Sequence, residues 1–431
     1  MKTLTLCAIF SLLTLGSMAQ AITASPKDGL EQYFKALTAL KKFNGNVIVA
    51  RGNEVLLKRS FNMDPDRDSL SVKPDSKFII ASVSKVFIKY CVLALEQEGR
   101  LRRTDKLSKY IPDFPKGDKI TIEHLMFHRS GLPRELTDYE SFDELSLQKM
   151  VELAKKEKLQ FQPGTQMLYS NVGFTLLHYL IGKTAKGGYT AFTKQLLARL
   201  NMRETGEFNH AGALSNFAWG FDLESGHVSA TDKRNINRFE TGNYYSTLDD
   251  MYKLSKAMVS GTPVSKQRVM SLFEGDTVLA QAGGRPGYRA YFYKNLKQNI
   301  TFIFLSNFTG VPIQEMTADV INIVTGKPYS MPAAIEKKEI ILPDSILNRY
   351  TGVYLLQVDE TQSLTITVKN NRLLVTDRSG GEAYLKADSE LTFFEDPHSK
   401  DGYTFQWDEQ SKQFELTVLS TGIKLKTRKV R

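Results

Sequence analysis

Two hydrophobic rhythms divide the chain. Between about residues 25 and 324, apolar positions recur at both helical and strand spacings. Residues 28–42 carry a helical pattern, while 46–50 and 55–59 read as a strand pair around Gly52-Asn53. Residues 82–97 are apolar almost all round, the mark of a buried helix, and Glu98-Gly99 closes the run. Further helices are predicted over 146–157 and 174–183, and late strands over 291–294 and 300–306. Beyond the breaker-rich stretch from Gly326 to Pro332 only strand alternation remains. There, 363–368 and 372–376 flank Asn370-Asn371, a hairpin signal, and 403–407 and 413–419 flank a polar turn. The pattern therefore predicts a mixed α/β domain over 22–327, a linker over 328–341 and a small antiparallel β domain over 342–431.

The first residues follow a different logic. Met1-Lys2, an apolar run over 4–16 and Ala19-Gln20-Ala21 predict a secretory signal peptide over residues 1–21. The run is too short to span a bilayer, and no later segment is long and apolar enough to do so. The expected location is outside the cytoplasm, periplasmic or secreted. Of the two cysteines, Cys7 lies in the signal, so Cys91 has no intramolecular partner and reads as core packing. The net charge of +10 comes from scattered lysines, which fits a solvated surface. The basic end, residues 424–431, partly alternates with apolar positions, as a half-wet terminal strand does, and implies no nucleic acid.

Against this frame, Ser82-Val83-Ser84-Lys85 opens the buried helix. Ser and Lys at i and i+3 share a face, so Lys85 can reach Ser82. A buried lysine loses hydration, which favours its neutral, proton-accepting form. The same spacing recurs at Ser146-Leu147-Gln148-Lys149, where Ser146 precedes a helical run and reads as a cap. Alone, the first motif leaves Ser82 open as either nucleophile or cap. Tyr169-Ser170-Asn171 follows Gln162-Pro163-Gly164 at a loop-to-helix boundary, where a tyrosine beside a lysine can take part in proton transfer. A second Tyr-x-Asn, at Tyr293, lies in a predicted strand. Glu123-His124 and His128 place two histidines at i and i+4, but in the order E-H-x-x-x-H and with no third ligand at useful spacing, so no metal or cofactor is expected.

Taken in order, several segments resemble the group of class C β-lactamases, serine DD-peptidases and related esterases. They are residues 78–87 around Ser82, His124-Leu125-Met126-Phe127-His128-Arg129-Ser130-Gly131-Leu132-Pro133, Tyr169-Ser170-Asn171 after Pro163-Gly164, and Tyr244-Tyr245-Ser246-Thr247. The resemblance covers about residues 30–328. It implies an α/β (α+β) sandwich with an antiparallel sheet and a helical subdomain, followed by a small antiparallel β-barrel-like domain. It also implies roles. Ser82 attacks an acyl carbonyl, Lys85 and Tyr169 share the acid–base work, and Asn171 orients Lys85 and the acyl side chain. The N–H groups of Ser82 and Gly284 form an oxyanion hole.

The chain departs from the group at Gln281-Ala282-Gly283-Gly284-Arg285, where the family carries Lys or His at the first position. Gln281 is neutral, which weakens a reading built on a carboxylate-bearing substrate. Arg285, in the same segment, is a candidate replacement cation. The implied substrate is a small-molecule or peptide acyl compound: an ester, an amide or a β-lactam. A non-catalytic penicillin-binding or scaffold role is the alternative that Gln281 leaves open.

Overall fold

The computed structural model describes residues 25–430 except 65, 68–69, 138–145, 209–213, 225–226, 232–242, 358, 379, 398 and 421–422. The predicted signal segment lies outside the described residues. No described helix is long and apolar enough to cross a membrane.

A five-stranded antiparallel sheet lies at the centre, in the order β2-β1-β10-β9-β8. Its strands are β1 (Gly45–Arg51), β2 (Glu54–Phe61), β8 (Val278–Arg285), β9 (Tyr288–Asn295) and β10 (Ile300–Ser306). Strand side chains alternate between faces, and both faces here are covered. Val47 and Val49 of β1, with Phe302 and Phe304 of β10, enter one core together with Leu30 and Phe34 of α1 (Pro26–Ala39) and Val320 of the helix Ile313–Thr325. Ile48, Ile303 and Leu305 enter the opposite core with α2 (Ser84–Gln97). Burial on both sides explains why β1 and β10 are almost continuously apolar in sequence.

The second core continues into a helical layer: α3 (Ile122–Met126), α4 (Leu147–Ala154), α5 (Asn171–Thr184) and α6 (Gly188–Arg199). From Ser84 to Leu95 every residue of α2 is buried except Lys89, as its all-round apolar character requires. Ser146 caps α4 by accepting from Lys149 N at 3.2 Å, so the second Ser-x-x-Lys has a structural use. α5 begins at Asn171, three residues earlier than its apolar rhythm indicates. Ser170 sets that start, accepting from Gly173 N at 3.0 Å and donating to Pro133 O at 2.7 Å. Two small sheets complete this part. β3 (Phe78–Ile79) and β4 (Gly206–Glu207) flank β7 (Tyr244–Ser246), and β5 (Phe221–Glu224) pairs with β6 (His227–Ala230).

The C-terminal part is a closed antiparallel barrel from β11 (Gly352–Leu356) to β18 (Ile423–Lys429), which pair with each other through Tyr354 and Lys429. At the Asn370-Asn371 turn both residues have positive φ, 54° and 56°, the conformation a two-residue hairpin turn of this twist needs. Tyr354, Phe393, Phe405 and Phe414 fill the barrel's own interior, whereas Tyr384 and Trp407 are exposed. Tyr350 stacks on Phe405 at 4.5 Å and meets Phe414 edge-on at 4.9 Å. The architecture is thus the α/β sandwich with antiparallel sheet, helical layer and terminal barrel that the family resemblance implies.

Candidate active site

The centre is built on the approach to α2. β3 pairs with β7, and Ile80 N donates to Tyr244 O at 2.9 Å. The chain then turns sharply through Ala81, whose φ of 44° is unfavourable for a residue with a Cβ. A single 3-10 turn, Ala81–Val83, follows before α2. Ser84 Oγ holds this turn by donating to Ala81 O at 2.7 Å. α2 has Val83 at its N-cap and no side-chain cap bond, so Ser82 is not spent on capping.

Ser82 Oγ instead receives two donors. Lys85 Nζ lies at 3.2 Å and Tyr169 OH at 2.7 Å. Lys85 is only 2% exposed, and its Nζ lies 5.1 Å from the Tyr169 ring centre and 5.2 Å from that of Phe174. Burial raises the pKa of Tyr169, against the opposing effects of its bond to Ser82 and of Arg134, so the resting group is a phenol. Arg134 lies over the same ring, 5.3 Å from its centre.

Tyr169 is held by His128, a residue whose role depends on tertiary packing. His128 N–H and C=O lie in the turn after α3, with φ of 57°. Its carbonyl accepts from Leu168 N at 2.9 Å, and its Nδ1 accepts from Ser170 N at 3.0 Å. The two rings stack at 4.4 Å. Burial, helped by Lys89 and Lys85, lowers His128 to about 3. His124 does a different job: its Nδ1 accepts from Thr121 N at 3.3 Å and its own N donates to Thr121 Oγ1 at 3.1 Å, a reciprocal cap on α3.

The His128 environment has a stability consequence. The unfolded imidazole takes a proton below about 6.5, whereas the folded one resists it down to about 3. Over that window the unfolded state binds more protons, so stability falls as pH falls, by up to about 1.4 kcal/mol per pH unit from this group. In His128→Gln, whose amide oxygen can still accept from Ser170 N, the acid limb of a stability–pH curve is expected to be shallower. Parallel curves for the two proteins would contradict this.

β8 closes the third side. A Cβ on Gly283 would run into the Ile80 carbonyl and lie 2.9 Å from Val83 N and 3.0 Å from Ser82 N. The strand backbone therefore rests directly on the Ser82 turn. Gln281 and Arg285, two residues either side, share the face of Gly283. Gln281 Nε2 donates to Ala282 O at 2.8 Å, and Arg285 Nη1 donates to Asn243 Oδ1 at 2.9 Å. Gly284 faces the other way, where an added Cβ would meet Arg289 Nη1 at 3.0 Å. Asn171 donates to Glu135 Oε1 at 2.6 Å. Arg134, Glu135 and Asn243 are not signalled by any motif. His128 lies inside a recognised segment, but its contact with Tyr169 is not readable there.

Comparison with known proteins extends this picture. The family model described as beta-lactamase matches residues 30–324. Penicillin-binding protein 4* of Bacillus subtilis (strain 168) is 27% identical over 411 residues, 85% of this chain and 90% of that protein. Protein flp of Staphylococcus aureus (strain MRSA252) is 24% identical over 323 residues, 67% of this chain and 64% of that protein. Two solved structures share the fold. The octameric penicillin-binding protein homologue from Pyrococcus abyssi has a TM-score of 0.62 at 17% identity, covering 93% of this chain and 99% of its own. D-amino acid amidase from Ochrobactrum anthropi SV3 has a TM-score of 0.59 at 18% identity, covering 70% and 98%. The family match runs through the Ser82 turn, Tyr169 and β8, and the chain belongs to the β-lactamase family.

Proposed function

We propose that the chain is an exported serine hydrolase that cleaves an ester, amide or β-lactam through an acyl-enzyme on Ser82. The observation that carries this reading is the convergence of Lys85 Nζ and Tyr169 OH on Ser82 Oγ, at 3.2 and 2.7 Å. In the proposed reaction Ser82 Oγ bonds to the acyl carbon and its proton passes to Lys85 in the neutral form. The carbonyl oxygen becomes an oxyanion held by the N–H groups of Ser82 and Gly284, each such donor typically lowering the barrier by about 3 kcal/mol. Collapse breaks the bond to the leaving group, which takes its proton from the Tyr169 phenol; Lys85 returns a proton to Tyr169. Water then attacks the acyl ester and Lys85 accepts its proton; as the bond from the acyl carbon to Ser82 Oγ breaks, Lys85 passes that proton to Ser82 Oγ, releasing the acid and restoring neutral Lys85. Asn171 orients the acyl side chain.

The neutral Gln281 favours an ester or small amide over a β-lactam anchored by its carboxylate. Arg285 is the nearby cation on the same face of β8, and Arg285→Ala is expected to raise KM several-fold for anionic substrates while leaving neutral esters near wild type. An equal loss on both would remove Arg285 from substrate reading. The substrate class is tested with a p-nitrophenyl acyl ester, a D-amino acid amide and a chromogenic cephalosporin, each against Ser82→Ala. Ester or amide turnover that disappears in the variant supports the proposal; cephalosporin turnover shifts it to β-lactam hydrolysis. Silence with all three, and no covalent labelling, would favour the binding-only reading that Gln281 motivates.

A further inference from the structure

One cleft has a lining that includes neither Ser82 nor Lys85 nor Tyr169. It has a volume of about 630 Å3 and opens between the turn at 116–119 and the loop at 159–163. Its lining combines Leu159, Phe161 and Pro163 with Lys106, Lys116 and Lys119. Asp118 pairs with Lys119 at 3.0 Å. Among the described residues Lys106 and Lys116 make no direct ion pair.

Both walls are pinned. Leu107 N donates to Ile120 O at 2.8 Å, Ser108 N to Gly117 O at 3.1 Å and Lys119 N to Lys116 O at 2.9 Å. Gly117 packs so closely that a Cβ would lie 3.0 Å from Phe114 O and 3.1 Å from Ser108 N. On the other side Gln160 N donates to Gly131 O and Gly164 N to Arg129 O, both at 2.8 Å. The Arg129 guanidinium returns a bond to Gly164 O. The local field is positive: after burial, Lys106 and Arg129 are the groups that lower the pKa of His124.

The size suits a small ligand, since such sites are typically concave and about 300–1,000 Å3. Three lysines face one carboxylate, Asp118, which interacts with Lys106 as well as Lys119, and the surplus of two positive charges matches the roughly two negative charges of a phosphate monoester at neutral pH. The apolar side chains call for an alkyl or aryl group beside that charge. We propose that this cleft binds a small, soluble organic phosphate with an apolar substituent. The proposal does not rest on the hydrolase reading, because a phosphate monoester offers Ser82 no acyl carbonyl.

Calorimetric titration of the full chain with hexyl phosphate at low salt tests it. Saturable binding is expected, about tenfold or more weaker in the Lys106→Ala/Lys116→Ala double variant. Both lysines are exposed, so these variants keep the fold. Lys106→Arg/Lys116→Arg should retain binding, and Ser82→Ala should leave it unchanged. Equal affinity in the double alanine variant overturns the proposal. Inorganic phosphate binding as tightly as hexyl phosphate overturns the apolar component. Binding seen only with vesicles of anionic phospholipid overturns the small-ligand assignment.

Discussion

Replacing Lys85 by methionine lowers the rate of Ser82 acylation by about 10²- to 10⁴-fold, the range of a lost general base. The substitution is chosen over alanine for a physical reason. Lys85 is 2% exposed and packed between the rings of Tyr169 and Phe174, so Lys85→Ala opens a cavity as well as deleting an amine. Methionine fills most of the stem volume and carries no proton acceptor of comparable strength. Stability near wild type with acylation lost assigns the effect to chemistry. Acylation within tenfold of wild type in Lys85→Met would remove Lys85 from the mechanism.

The second large effect is steric. In Gly283→Ala the new methyl group meets backbone, the Ile80 carbonyl and the Val83 and Ser82 N–H groups, none of which can rotate aside. Either β8 or the Ser82 turn must move, at a cost of about 1–3 kcal/mol. A displacement near 1 Å at a reacting centre can cost roughly 10²-fold in rate. Gly284→Ala provides the contrast. Its methyl group meets the end of the flexible Arg289 side chain at 3.0 Å, so that neighbour can give way. The expected order in acylation rate and melting temperature is wild type, then Gly284→Ala, then Gly283→Ala well below. The reverse order would mean that the β8 contact with the Ser82 turn is not what holds the centre.

Legibility of the fold followed burial. β1, β10 and α2 are enclosed on all sides, so their sequences are apolar enough to be recognised without tertiary information. Asn370-Asn371 was readable because a turn with two positive φ angles selects such residues. β8 was not, because Val-Leu-Ala-Gln-Ala-Gly-Gly-Arg is mostly small and its glycines exist for close backbone approach. The Tyr-Tyr-Ser-Thr segment carries no strand signal of its own, yet it is β7 followed by a helix cap in which Thr247 accepts from Asp250 N at 3.3 Å.

The candidate site shows the same division. Ser82 and Lys85 are one helical turn apart, so local geometry predicts their contact. Tyr169 lies 87 residues from Ser82 and was found through the order of motifs. The stack of His128 on Tyr169, the Arg134 guanidinium above it and the Asn243–Arg285 bond are products of the folded chain. No spacing rule encodes them.

Catalysis as proposed requires Ser82 Oγ to form a covalent acyl bond. Intact-mass spectrometry of the full chain after a brief exposure to an activated acyl ester, followed by peptide mapping, reads this directly. The account predicts a single adduct of the acyl mass on the peptide containing Ser82, absent in Ser82→Ala and much slower to form in Lys85→Met. An adduct that persists in Ser82→Ala, or maps to another peptide, would contradict it.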